Sequence, residues 1–198
     1  MALFTEQQIR NRFENEKRIR HSSGYRYFSA TDALNEGRIT DSTEQYDIFL
    51  SHSSKDKELI AGLKLILNDL GYKVYVDWSD HALDPNNVTP ETAAVLRERM
   101  KQCRSLLYAF SENASNSKWM PWELGYFDAL KYSRVAVLPI SKTAKFSYKG
   151  SEFIGVYYFI QIAKSQKTGK DAIWVYDGDN YVIFNDWLKG QNPFRHTK

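Results

Sequence analysis

A carboxylate that does chemistry needs neighbours that bind and orient its substrate, and one short stretch of this chain offers both: Trp119-Met120-Pro121-Trp122-Glu123. Residues four apart share a helix face, so on a helix the Glu123 carboxylate lies one turn from the Trp119 ring. An acid beside an aromatic plate suits a ligand with an aromatic base and ribose hydroxyls. The turn Ser51-His52-Ser53-Ser54 adds hydroxyls and an imidazole, and Asp77-Trp78 adds a second acid and ring. Hydroxyls and helix-terminal amides receive phosphate. The expectation is a nucleotide site, with Glu123 as the catalytic candidate. Trp119, Trp122, Ser51, His52, Ser53, Asp77 and Trp78 are the candidate substrate contacts. Each has a plainer reading too: Glu123 as a surface acid near a helix N-terminus, the tryptophans as core anchors, and Ser51, His52 and Ser53 as caps of a turn.

Other chemistries find less support. His21, His52, His81 and His196 lack ligand spacing and the single cysteine, Cys103, stands apart, so no metal is expected. Cys103 precedes a strand and reads as a small buried hydrophobe. The basic residues Arg10, Arg12, Lys17, Arg18 and Arg20 are interrupted by Glu14 and Glu16, a solvated helix face more than a nucleic-acid patch. The net charge of +3 agrees. No apolar run approaches the roughly 18 residues of a membrane span, and Met1 to Thr5 lead into charge with no signal-peptide core. A cytoplasmic location is expected.

The 198 residues are 42% hydrophobic and 26% charged, enough for one buried core and one site. From Tyr46 to Ile140 short apolar runs alternate with amphipathic ones, the pattern of β-α units on a parallel sheet. The predicted strands are Tyr46–Leu50, Tyr72–Asp77, Arg104–Phe110 and Arg134–Ile140. The first predicted helix carries the stripe Leu59, Ile60, Leu63, Ile66, Leu67 and Leu70 and is closed by Gly71. Thr89-Pro90 opens a second, with Ala94 and Leu96 facing inward, and Ser117 caps a third bearing Trp119 and Glu123. The loop from Trp78 to Val88 reads as a lid. Thr5 and Gln8 form a capping box for a polar helix over residues 5–20. Phe153–Ala163, Ile173–Tyr176 and Tyr181–Phe184 read as strands, the last two joined in a hairpin at Asp177-Gly178-Asp179-Asn180. Three parts are expected: an N-terminal helical extension (1–45), a core (46–140) and a C-terminal strand and β-hairpin (141–198). In a doubly wound sheet of order 2-1-3-4-5, ligands bind where the strand order reverses. The loops from Ser51 and from Ser111 border that crevice.

The run Tyr46-Asp47-Ile48-Phe49-Leu50-Ser51-His52-Ser53-Ser54-Lys55-Asp56 resembles the opening motif of bacterial Toll/interleukin receptor (TIR) domains, and Trp119-x-x-x-Glu123 resembles that family's catalytic signature. The spacing and the closing run Arg134-Val135-Ala136-Val137-Leu138-Pro139-Ile140 fit the same layout. The resemblance covers residues 46 to 140. It implies an α/β flavodoxin-like fold and cleavage of nicotinamide from NAD, giving ADP-ribose or a cyclic isomer. NAD is then a substrate and no cofactor is required. It further implies self-association through TIR–TIR contacts and, as in Thoeris-type anti-phage systems, a separate effector that senses the product. Two rivals are a non-enzymatic TIR interaction module and a nucleoside deoxyribosyltransferase-like enzyme. The first is opposed by the presence of Glu123, the second by the Ser51-to-Asp56 motif.

Overall fold

The computed structural model describes residues 2–25, 27–36, 44–77, 89–132, 134–150 and 152–196. Their strands form one sheet: β1 (Phe4–Thr5), β2 (Tyr46–Ser51), β3 (Val74–Tyr75), β4 (Cys103–Phe110), β5 (Val135–Ser141), β6 (Tyr158–Lys164), β7 (Asp171–Asp177) and β8 (Asn180–Ile183). The order is β3-β2-β4-β5-β6-β7-β8, parallel from β3 to β6 and antiparallel beyond. Counted from Tyr46, its first five strands run 2-1-3-4-5, the expected flavodoxin-like winding. The strand order therefore reverses between β2 and β4.

Both faces of the sheet are covered, because the strand residues alternate in direction. Ile48, Leu50, Leu107, Ala109, Ala136 and Leu138 point to one face, under α1 (Glu6–Ser22), α2 (Ala30–Asn35), α3 (Lys57–Asp69) and α6 (Phe184–Leu188). Phe49, Leu106, Tyr108 and Val135 point to the other, under α4 (Pro90–Lys101) and α5 (Trp119–Lys131). Helix α3 carries the stripe read from its spacing, closed by Gly71 at φ +91°. It is more buried than one stripe requires, since Ala61, Gly62, Lys64 and Leu65 are buried as well. Helix α1 explains this: it crosses so closely at Gly62 that an added Cβ would fall on the Ile9 carbonyl.

The flanks are built into the sheet. Phe4 and Thr5 pair with Ile140 and Ser141, while Ala2 bridges to Ile162, so the N-terminal segment fills the space where β5 and β6 part. Thr5 caps α1 in a full capping box with Gln8. The basic residues of α1 are tied down by acids: Arg12 holds Asp69 (2.6 Å) and Glu16 (2.7 Å), and Arg20 holds Glu16 (2.8 Å) and Glu36 (2.8 Å). Lys64 donates to the Leu34 and Glu36 carbonyls at the end of α2. Burial lowers its ammonium to about 8.

Four local readings are corrected. Ala94 is exposed; the inward residues of α4 are Thr92, Leu96 and Met100, spaced four apart on one face, and Ala94, two residues from Leu96, lies on the opposite one. The strand expected over Tyr72–Asp77 pairs only at Val74–Tyr75. Phe153 begins no strand: Glu152–Val156 is a 3-10 turn, and pairing with β5 starts at Tyr158. Phe184 opens α6 and does not extend β8.

Candidate active site

The end of β2 and the N-terminal half of α5 meet over the reversal crevice. Ser51 and Tyr108 are register partners on β2 and β4 and so share the face beneath α5. Helix α5 begins at Trp119, and the Ser117 hydroxyl accepts from the Met120 amide at 3.3 Å, fixing its first turn, although Lys118 occupies the formal cap position. One turn on, Glu123 points down between the two strands. It is 2% exposed, and Ser51 Oγ donates to its Oε2 at 2.6 Å. Burial, together with the charge of Asp77, pushes the Glu123 carboxyl up to about 8, against the opposing hydrogen bond from Ser51. The Tyr108 phenol is raised by burial and by Glu123.

Asp77 and His52 stand beside this pair. His52 Nδ1 lies 2.9 Å from the Leu50 carbonyl, which can only accept, so Nδ1 carries a hydrogen. Its Nε2 comes to 3.3 Å from Asp77 Oδ1, without the alignment of a hydrogen bond. Asp77 Oδ1 is buried and finds no hydrogen-bond donor among the described residues.

The remaining candidates divide. Ser53 accepts from the Lys55 amide at 3.4 Å and caps the 3-10 turn Ser54–Asp56. Trp119 is half-buried and meets Trp122 edge-on at 5.3 Å. Trp122 stacks on Tyr126 at 5.7 Å, with Arg97 of α4 lying 5.4 Å over its ring. Trp78 and the lid reading for Trp78–Val88 lie outside the described residues. Glu123, Ser51, His52 and Asp77 are thus brought together, Trp119 stands at the edge, and Trp122 faces α4.

Sequence reasoning missed three features. Asp56 accepts from Ser111 Oγ and from Asn113 Nδ2 (2.6 Å), lacing the two crevice loops together. These three residues sit in the loops already singled out, so their strand-end positions were the available signal. Tyr108 had none, being one aromatic in an apolar strand. Tyr148 lies in a segment with no periodicity. Among the described residues no group of three or more His, Cys, Asp or Glu could hold a metal ion, and no helix is long and apolar enough to cross a membrane. Cys103 is buried and its thiol is raised by desolvation, which keeps it from nucleophilic use.

Residues 48–172 match the family model described as the TIR domain. The chain belongs to the TIR-domain family. The match runs past Ile140, through β6 and into β7, so the TIR sheet includes strands that the opening and closing motifs did not reach. A protein of Bacillus cereus (strain MSX-D12), named as a probable 3′ cyclic ADP-D-ribose synthase, ThsB′, is 42% identical over 194 residues, covering 96% of this chain and 99% of its own. A Cytobacillus dafuensis protein, provisionally named cyclic ADP-D-ribose synthase TIR2, is 28% identical over 123 residues, 60% of this chain and 32% of that one. The first likeness extends beyond residues 48–172 into the flanking segments on both sides.

Proposed function

We propose that this chain is an NAD-cleaving cyclase: it breaks the bond between nicotinamide and ribose and closes the ADP-ribose through its 3′ position. One observation carries the reading. Glu123 is a carboxylate taken out of water, held by one hydroxyl, with no cation in ion-pair reach among the described residues. An unpaired buried carboxylate is costly, and a nicotinamide riboside brings the missing positive charge. The full-length likeness to a protein named for a 3′ cyclic product supports the same reading.

The chemistry needs no acid to expel the base, unlike ordinary glycoside cleavage with its two carboxylates. The electron pair of the C1–N bond passes to the nicotinamide nitrogen, which leaves neutral, and positive charge moves to C1 and the ring oxygen of the ribose. Glu123, once ionised, faces that charge and accepts from the ribose hydroxyls, with Ser51 fixing its orientation. The 3′ oxygen of the adenosine ribose then bonds to C1 and its proton passes to Glu123. A carboxylate titrating near 8 is a better base at neutral pH than an ordinary one. His52 and Asp77 line the approach, with the Asp77 Oδ1 acceptor open to a ribose hydroxyl or the carboxamide. Trp119 offers its ring to a base and Trp122 backs it, and Trp78 completes the set of proposed substrate contacts.

The partners on this reading are NAD, further copies of the same TIR domain and a separate effector that senses the product; the setting is cytoplasmic. The test is chromatography of nicotinamide released from NAD, with fragmentation mass spectrometry of the second product. Release of nicotinamide with a 3′-linked cyclic product is the expected result. Glu123→Gln is expected to lower the rate by at least about a hundredfold, one to two charge-assisted interactions in the transition state; an unchanged rate in this variant defeats the mechanism.

A further inference from the structure

A cavity of about 540 Å³ opens at the C-terminal ends of β4 and β5, lined by Phe110, which packs against Tyr108 at 6.5 Å. Its volume falls in the usual range for small-molecule sites, roughly 300–1,000 Å³. Its wall is cationic: Lys142, Lys145 and Lys149 face a single acid, Glu112, and that acid is occupied by Lys142 at 2.7 Å. Lys145 is held in place through its carbonyl, which accepts from the Leu3 amide at 2.9 Å. In the same wall, Tyr148 is wedged between Phe110 (6.0 Å) and Phe159 (5.8 Å), and its hydroxyl is buried without a hydrogen-bond partner among the described residues.

A buried hydroxyl without a partner, in a wall that also carries Lys145 and Lys149 with no ion pair among the described residues, suits an anionic oxygen, since phenol and ammonium both donate. The cavity also adjoins the proposed reaction centre. Glu123 raises the Tyr108 phenol, and Phe110 packs against both Tyr108 (6.5 Å) and Tyr148 (6.0 Å), so ring contacts lead from the reaction centre to the cavity wall. A dinucleotide with its reacting ribose over Glu123 therefore reaches this cavity with the next group along its length.

We propose that the cavity at the ends of β4 and β5 binds the diphosphate of the dinucleotide, with Tyr148 as the positioning residue and Lys145 and Lys149 as the neutralising charges. This rests on the NAD reading and extends it. By fixing the diphosphate, Tyr148 bends the substrate so that the far ribose returns to C1, and it thereby favours ring closure over attack by water.

The experiment is calorimetric binding of ADP-ribose to the unaltered chain, to Tyr148→Phe and to Lys145→Ala/Lys149→Ala, alongside NAD kinetics for each. Phenylalanine keeps the ring between Phe110 and Phe159, so the fold is preserved. Tyr148→Phe is expected to weaken ADP-ribose binding and raise KM for NAD about tenfold, the effect of one lost charge-assisted hydrogen bond, with kcat for nicotinamide release within about twofold. The share of linear ADP-ribose among the products rises. The lysine variant moves binding in the same direction and flattens its salt dependence. Equal affinities in all three proteins, or no ADP-ribose binding by the unaltered chain, overturn the assignment. Binding that depends on Tyr148 in a protein that releases no nicotinamide leaves this assignment standing and defeats the NAD reading instead.

Discussion

The protonation of Glu123 can be moved in two directions by its neighbours, and the mechanism requires the rate to follow. With its pKa raised first by burial, then by Asp77 and against Ser51, the carboxyl is mostly protonated in the free protein at pH 7. The ionised form faces the ribose cation, so kcat/KM should rise tenfold per pH unit and level off above 8. Ser51→Ala removes the 2.6 Å hydrogen bond that favours the carboxylate. Such a bond to a charged acceptor contributes about 1.5 kcal/mol or more, and 1.36 kcal/mol is one pKa unit, so the inflection moves up by about one unit. At pH 7 the variant is then roughly tenfold slower, while at pH 9.5 the two rates approach one another. Asp77→Asn removes a negative charge that disfavours ionisation and moves the inflection down. The assay is nicotinamide release at low NAD concentration from pH 6 to 9.5. A lowered plateau with an unmoved inflection in Ser51→Ala would show that Ser51 touches the substrate and does not act through Glu123. Inflections moving in the same direction in both variants would contradict the electrostatics outright.

Two further perturbations probe stability. Because the folded protein raises the Glu123 pKa above the unfolded value of 4.5, the folded state binds a proton that the unfolded state has lost between pH 4.5 and 8, and stability falls across that window. Glu123→Gln removes this cost, so thermal melting should show the variant gaining up to a few kcal/mol at pH 8 and above, and much less at pH 5; a pH-independent difference contradicts the assignment. Gly62→Ala places a methyl on the Ile9 carbonyl and should cost about 1–3 kcal/mol in urea unfolding, with α1 showing faster amide exchange; wild-type stability would mean that the α1–α3 approach is looser than drawn.

The parallel strands were legible because buried ones read as apolar runs with room for one helix between them, while their order followed from the family resemblance. The α3 stripe and the Thr5, Thr89 and Gly71 caps were legible for local reasons: each depends on residues within one turn. What failed was set by distant partners. Ala94 looks apolar enough for a core, but α4 turns the face of Thr92, Leu96 and Met100 toward β4, and Ala94, two residues from Leu96, is left on the far side. Tyr72 to Asp77 has strand composition throughout, yet only Val74 and Tyr75 find a register opposite Ile48 and Phe49. At the site, Glu123 and Ser51 could be named from motif spacing, but their hydrogen bond spans 72 residues. Tyr148 could not be named at all: its place depends on Phe110 and Phe159 arriving from two separate strands.

The burial of Glu123 also bears on why an NAD-cleaving site need not destroy NAD indiscriminately. A carboxyl near 8 is mostly protonated in the free chain at neutral pH, and a protonated Glu123 cannot oppose the ribose cation. Entry of a nicotinamide riboside places positive charge beside it, which favours ionisation in the bound state. The substrate thus helps to create the form of the enzyme that acts on it. The Asp77 charge opposes this step; a donor that occupies Asp77 Oδ1, from ligand or from a second copy of the domain, relieves the opposition and lowers the Glu123 pKa further. The Asp77 oxygen, 3.3 Å from His52 and without a hydrogen-bond donor among the described residues, is thereby the point at which the proposed self-association would raise the rate without touching the reacting carbon. If it does, the kcat/KM inflection of the assembled protein lies below that of the dilute one, and the difference vanishes in Asp77→Asn.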